Sequence, residues 1–321
     1  MTINKPEKFE NEIVDEINNI LSGISEMSYS QRCFLNGIIR QTKPKKILEL
    51  GVSAGGSSAI ILNAIKDFDN AKLYSVDYSE KWYVDNSKNT GFIIDEKFSN
   101  LKNKWKLYTG GTAAKFMEEI GGEIDLCLID TMHVNPGEFL DFLIVLPYLK
   151  KNAILIFHDI ALHYFRKHSL TNGILFSCLK GKKITFNEGN WNKFANIGAV
   201  ILDENVKDNI LDYLYLLTLP WQYLPSYNDI LECQKLFSKN YGEEFVDTFM
   251  DITQHNRKLF IENREMFTED EKDLFKENIN YTKNNVNKLN EKLNILINCM
   301  AWWIPIRKWR DNFRNKFIIN I

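Results

Sequence analysis

The sequence predicts an α/β fold: a doubly wound, mostly parallel sheet of seven strands, preceded by helices and followed by a helical extension. Two observations predict it. Short apolar runs alternate with segments of helical periodicity, the pattern of the strand–helix–strand units that build a parallel sheet. Five polar side chains, Glu49, Asp77, Asp130, His158 and Asp159, stand where apolar runs end, and in such sheets ligands collect at the carboxyl ends of strands.

The elements follow in order. Residues 1–41 form an N-terminal part with apolar positions at helical spacing (Ile13, Ile17, Ile20 and Leu21; then Phe34, Leu35, Ile38 and Ile39). Two helices are expected there, as scaffold or as a lid. Residues 42–204 hold the sheet. Ile47 to Leu50 is the first strand, Ala71 to Val76 the second, closing on Asp77, and Trp105 to Tyr108 the third. Ile124 to Ile129 is the fourth and ends at Asp130. Pro136 to Leu149 is amphipathic with proline in its first turn, which predicts a helix. Asn152 to Phe157 is the fifth strand, ending in His158 and Asp159, and Lys183 to Phe186 and Ile197 to Leu202 are two closing strands. The loop between these two carries Trp191 and Phe194, candidates for stacking on an acceptor or for plain burial. Over residues 205–300 helical periodicity takes over. Val286, Leu289, Leu293 and Leu296 fall at alternating spacings of three and four, a short coiled-coil-like seam for a partner helix, in a homo-oligomer or a hairpin.

The stretch KKILELGVSAGGSSAIILNA, from Lys45 to Ala64, joins the first strand to a Gly-rich turn and a helix. Glycine lets backbone N–H groups approach a ligand, and the helix turns its free N–H groups and positive dipole end towards whatever lies over the turn. Three chemistries fit a turn of this kind. A dinucleotide site wants G-x-G-x-x-G, but Ser53 occupies the second glycine position. A serine-hydrolase elbow wants G-x-S-x-G, which Gly51-Val52-Ser53-Ala54-Gly55 matches literally. That elbow normally follows several strands, whereas one strand and two helices precede Ser53, and it leaves Glu49 and Asp77 without a role. The third takes Glu49 together with the glycines, as E-x-G-x-x-x-G.

Composition bounds the class. Apolar content of 45% and charged content of 26% are those of a soluble globular protein. A net charge of −2 gives no global electrostatic basis for nucleic-acid binding. The five cysteines are dispersed without a CxxC pair, as expected in a reducing cytoplasm, and Cys127 reads as a small buried hydrophobe. The polar N-terminus MTINKPEKFENE lacks a signal-peptide pattern, and no apolar run is long enough to span a bilayer. A cytoplasmic protein is expected.

Together, ILELGVSAGGSS, YSVD, IDLCLIDTMHVNPGEFLDF and LPYLKKNAILIFHDI resemble the class I S-adenosylmethionine (SAM) methyltransferases. More narrowly they are similar to the branch with a His-Asp signature on a C-terminal strand, found among O-methyltransferases of bacterial glycan and natural-product pathways. The resemblance covers residues 40–203. It implies a Rossmann-like SAM-binding domain, with Glu49 facing the methionine part and Asp77 the ribose hydroxyls, and Gly51, Ser53, Gly55, Ser57 and Asp130 lining the cofactor. The chain departs from the family after the third strand. Gly111-Thr112-Ala113 lacks the acidic residue that often holds the adenine amino group, so Thr112 or a backbone group takes that place.

Asp130, His133, His158 and Asp159 support two mechanisms. In metal-dependent relatives, carboxylates at the ends of the fourth and fifth strands hold Mg²⁺, which acidifies the acceptor hydroxyl. Asp130 and Asp159 match those positions, with His158 as a third ligand or a group supporting the ligands from behind, and a nitrogen ligand suits Mn²⁺ or Zn²⁺ better than Mg²⁺. Without a metal, His133 or His158 is the general base and Asp130 or Asp159 orients it. His163 and His168 are placed at a pocket rim or in solvent, and His255 in a structural position.

The chain ends AWWIPIRKWRDNFRNKFIINI. Five aromatics interleave with Arg307, Lys308, Arg310, Arg314 and Lys316, opposed only by Asp311. Such a segment suits an anionic membrane headgroup region, as peripheral association of residues 301–321 with the cytoplasmic face. An amphipathic helix docked on the protein has the same pattern. Similar ends of the form I-P-I-[KR]-K-x-R occur on enzymes that assemble bacterial surface polysaccharides. The expected acceptor is therefore a glycan or lipid-linked sugar hydroxyl, and the alternative a soluble small-molecule hydroxyl or amine. A catalytically inactive SAM-fold scaffold would explain the tail but not the polar strand ends.

Overall fold

The central strands of the sheet are buried on both faces, and their sequences show why. In β4 (Ile124–Ile129) and β5 (Leu149–His158), Leu126, Leu128, Ile154 and Ile156 face one hydrophobic core, while Cys127, Ile129, Leu155 and Phe157 face the other. Side chains alternate along a strand, so a central strand needs a nearly continuous apolar run. The computed structural model describes residues 11–186 and 195–262, together with Glu291 and Asn294.

The seven strands lie in the order β3-β2-β1-β4-β5-β7-β6. The others are β1 (Lys46–Leu50), β2 (Lys72–Asp77), β3 (Trp105–Thr109), β6 (Gly181–Ile184) and β7 (Ile197–Leu202). Strand β7 alone is antiparallel, to both β5 and β6. This is the doubly wound, mostly parallel architecture the sequence predicts. The chain reverses direction across the sheet between β1 and β4, and at that switch point the strand ends open a crevice.

One core lies under α1 (Glu12–Leu21), α2 (Tyr29–Thr42), α3 (Gly56–Ala64) and α4 (Phe92–Lys97). The opposite core lies under α5 (Met117–Ile120), α6 (Gly137–Val145), α7 (Thr171–Cys178), α8 (Ile210–Leu214), α9 (Tyr227–Asn240) and α10 (Glu243–Glu262). The region after residue 205 therefore completes a core of the sheet rather than standing apart: Tyr213, Trp221, Phe237 and Phe249 are buried in it. The chain divides into two compact units, Met1–Phe260 and Ile261–Ile321.

The differences from the sequence-based elements are local. The helix expected over Pro136 to Leu149 begins at Gly137, after Pro136, and gives way at Leu146 to a 3-10 turn because Pro147 cannot continue it. Strand β5 is longer than expected, and β6 is displaced to Gly181–Ile184. Cys127 is fully buried, and its thiol is pushed well above the ordinary range by burial. The residues of the seam (Val286, Leu289, Leu293, Leu296), Trp191, Phe194 and the tail over 301–321 lie outside the described residues. No described helix is long and apolar enough to cross a membrane.

Candidate active site

The turn after β1 is built by close backbone approach. Gly51 has φ +88°, and a Cβ there would lie 1.8 Å from the carbonyl oxygen of Asp130, so the turn and the end of β4 meet with no room for a side chain. Gly55 (φ +96°) ends the turn as the N-cap of α3 without a side-chain cap bond, so the first N–H groups of that helix are left to a ligand. Asp77 fixes the same turn from β2. Its Oδ2 accepts from the N–H groups of Val52 and Ser53, both at 2.9 Å, and Oδ1 accepts from Ser79 N–H at 2.8 Å. Ser53 itself is at φ +53°.

Glu49 is fully buried. The Ser58 and Ser75 hydroxyls donate to its Oε2 at 2.6 and 2.5 Å, and Trp105 Nε1 donates to Ser75 Oγ at 2.9 Å. Burial pushes its carboxyl up to about 7, against the lowering effect of the serine hydroxyls, Ser57 among them. Its other oxygen, Oε1, is buried without a hydrogen-bond partner, and so is Thr112 Oγ1 beyond β3. Buried polar atoms are almost always satisfied. Two acceptors left open, at the ends of β1 and β3, fit a ligand that brings a donor group at each end. SAM, with its methionine ammonium and adenine amino group, has that form.

The second half of the site lies where β4 and β5 end. His133 Nε2 is 3.3 Å from Asp159 Oδ2 and 3.8 Å from Asp130 Oδ1. Asp130, His133 and Asp159 each offer a ligand atom, all within 4.8 Å of one another. Burial raises Asp130, but His158 and His133 outweigh it and hold that carboxyl below its usual range. Two of these residues have strained backbone, His133 at φ +62° and Asp159 at φ +59°, and such conformations concentrate at functional sites.

Of the roles the sequence left open to His158 (base, metal ligand or support behind the ligands), its surroundings fit the last. It is 3% exposed, with Nδ1 3.2 Å from Asp130 Oδ1 and Nε2 3.1 Å from Gln31 Oε1. Both nitrogens are engaged within the protein, so neither is directed to an acceptor or a cation. His133 replaces it in the candidate ligand set. His163 is half-buried and stacks on Tyr164 at 4.4 Å, while His255 is on the surface.

Three supporting residues carry no sequence signal by themselves. Glu138 is fully buried. It accepts from the His133 backbone N–H and the Thr171 hydroxyl, and its Oε1 lies 3.5 Å from His133 Nδ1. Burial raises its carboxyl. Gln31 reaches His158 from α2, and Asn196 Nδ2 donates to Asp159 Oδ1 at 2.6 Å from the start of β7. The spacing of Glu138 from His133 was visible, but only the return of the chain through α6 makes it a partner.

Residues 48–160 match the family model described as a methyltransferase domain, a span that runs from β1 to just past β5. No curated protein matches the chain. Among solved structures, the Podospora anserina methyltransferase PaMTH1 with S-adenosylhomocysteine (SAH) bound is 16% identical (TM-score 0.45), covering 60% of this chain and 88% of that one. The Bacillus cereus O-methyltransferase in complex with SAH is 16% identical (TM-score 0.44; 60% and 91%). TomG from Streptomyces achromogenes, an O-methyltransferase in complex with SAM, is 12% identical (TM-score 0.43; 60% and 91%). The sheet order and the acidic strand ends agree with the match of residues 48–160 to a methyltransferase domain.

Proposed function

We propose that the chain methylates a hydroxyl oxygen, with SAM as donor. The observation that carries this reading is the meeting of two half-sites at Gly51 and Asp130, a cradle with open buried acceptors on one side and a carboxylate–imidazole cluster on the other. SAM bound in the cradle supplies a methyl group on a sulfonium sulfur. Glu49 Oε1 receives the methionine ammonium, Asp77 the ribose hydroxyls, and Thr112 Oγ1 the adenine amino group.

A hydroxyl becomes nucleophilic enough for in-line attack only as its proton leaves. His133 takes that proton at Nε2, and Asp130 and Asp159 stabilise the imidazolium that forms. Glu138 holds the backbone N–H of His133 and stands 3.5 Å from Nδ1, where its charge favours a proton on the ring. A second reading is favoured by the spacing of the donor atoms. Asp130, Asp159 and His133 Nε2 would hold a divalent cation, and two oxygens with one nitrogen suit Mn²⁺ better than Mg²⁺. Such a cation would acidify the acceptor hydroxyl.

For the acceptor we propose a sugar hydroxyl of a surface glycan or its lipid-linked precursor, handled at the cytoplasmic face of the membrane. The aromatic and basic segment over residues 301–321 supports this reading. The test is calorimetric titration of SAM, SAH and NAD⁺, with EDTA, Mg²⁺ or Mn²⁺, followed by methyl-transfer assays on methyl glycosides. Micromolar SAH binding that Asp77→Ala abolishes is the expected result. Methyl transfer that survives EDTA assigns His133 as base, and transfer that requires Mn²⁺ assigns the cation. No binding of SAM or SAH under any condition overturns the proposal.

A further inference from the structure

We propose that Gln31, which lies outside the matched domain, is a positioning residue of the reaction centre. Its place in the reaction rests on the methyltransferase reading, but the geometry stands independently. Gln31 is the third residue of α2 and closes a capping box. Ser28 N–H donates to its Oε1 at 2.8 Å, and its own N–H donates to Ser28 Oγ at 3.3 Å. A capping box needs only those two bonds. Here the cap amide is 3% exposed, and the same Oε1 is 3.1 Å from His158 Nε2.

The cap settles which end of the amide faces the histidine. A backbone N–H can only donate, so the atom facing Ser28 is the oxygen. That oxygen also faces His158, so Nε2 of His158 carries a hydrogen and donates it. At the other side of the ring, Nδ1 is 3.2 Å from the Asp130 carboxylate, which can only accept, so Nδ1 donates as well. The backbone of His158 is held as well, since Asn172 Nδ2 donates to its carbonyl at 2.8 Å. Ring, carboxylate and cap therefore form one line from α2 to the crevice. Gln31 sets the plane and the Nε2 proton of His158, and His158 sets the orientation of Asp130 beside His133. The N-terminal helices are in this way part of the reaction centre. Ser25 in the loop between them also lies against α3, where a Cβ on Gly56 would come within 2.7 Å of the Ser25 Cβ.

The experiment uses the full chain labelled with ¹⁵N-histidine, whose five histidines can be assigned one by one. Long-range ¹H–¹⁵N NMR of the wild type is expected to show a slowly exchanging Nε2 proton on His158. Gln31→Glu keeps an acceptor for both partners and should retain that signal. Gln31→Met has similar volume and no acceptor and should lose it. Ser28→Ala keeps the N–H that orients the amide, so it should lower the melting temperature yet keep the signal. With methyl glycosides as acceptors, Gln31→Met should lower kcat by roughly 10–100-fold, the usual range for a second layer of support, with SAH affinity unchanged and Gln31→Glu restoring the rate.

An unchanged Nε2 signal in folded Gln31→Met overturns the proposal, and so does an unchanged kcat. Where no glycoside turns over, the NMR signal alone decides. A wild type that shows the signal but binds no SAH refutes the methyltransferase reading and leaves the hydrogen-bonded line intact.

Discussion

Glu49 illustrates how a single residue couples burial, charge and ligand. Its carboxyl titrates near 7 in the fold, against 4.5 for an ordinary glutamate, because burial disfavours the charged form. The folded state therefore holds a proton that the unfolded chain has lost. Its contribution to stability is fullest below about 4.5 and is lost as pH rises through about 7. Ligand binding has the opposite sign, since a methionine ammonium at Oε1 favours the carboxylate. SAH affinity should weaken as pH falls below about 7, with a proton released on binding in that range. Calorimetry in buffers of different ionisation enthalpy measures that proton. In Glu49→Gln the release should vanish and the affinity should lose its pH dependence, and persistence of both would show that another group takes the ammonium.

At the scale of elements, the loop between β4 and α6 is held from outside the matched domain. Asn135 donates through Nδ2 to the carbonyls of Leu219 and Pro220, at 2.6 and 3.3 Å, and its N–H donates to Gln222 Oε1 at 3.1 Å. Gln222 N–H returns a bond to the Asn135 carbonyl at 2.8 Å. This clamp stands two residues from His133, whose left-handed backbone must be maintained. Asn135→Ala removes the bonds to the Leu219 and Pro220 carbonyls, which stand at the surface and can turn to water, and should cost about 0.5–1.5 kcal/mol. Thermal denaturation measures that cost, and methyl transfer should fall while SAH affinity holds, because the cradle is on other loops. The cradle itself was legible in the sequence, since turn and strand ends are local: Glu49, Gly51, Gly55 and Asp77 follow one another along two strand–turn units. The clamp was not, because Asn135 and Gln222 are brought together only when the segment after β7 folds back over α6.

At the scale of the whole molecule, the two compact units divide the chain near residue 260, and the charge asymmetry lies in the second. The first unit carries residues 48–160, which match a methyltransferase domain, and the helices that support them. Five cations opposed by Asp311 in the last 21 residues give that segment an attraction for anionic lipid, worth about 1 kcal/mol per cation near the surface. The full chain should therefore sediment with phosphatidylserine-containing vesicles and release from them with salt. Deleting residues 301–321 should abolish the sedimentation and leave SAH binding intact. Equal sedimentation of the two proteins would move the acceptor from a membrane-linked glycan to a soluble hydroxyl.

The sequence by itself determined the α/β class, the places of β1 to β4 and β7 and the acidic residues at the strand ends, because periodicity and turn chemistry are properties of neighbouring residues. It also placed Asp130, His133, His158 and Asp159 at adjacent strand ends. Only the tertiary structure shows how differently the two histidines are placed. His158 lies inside the sheet edge, where Gln31 and Asp130 take both its nitrogens, and His133 stands on a strained loop with Nε2 towards the two carboxylates. Distances in sequence say nothing of that difference, since Gln31 is 127 positions from the histidine it holds.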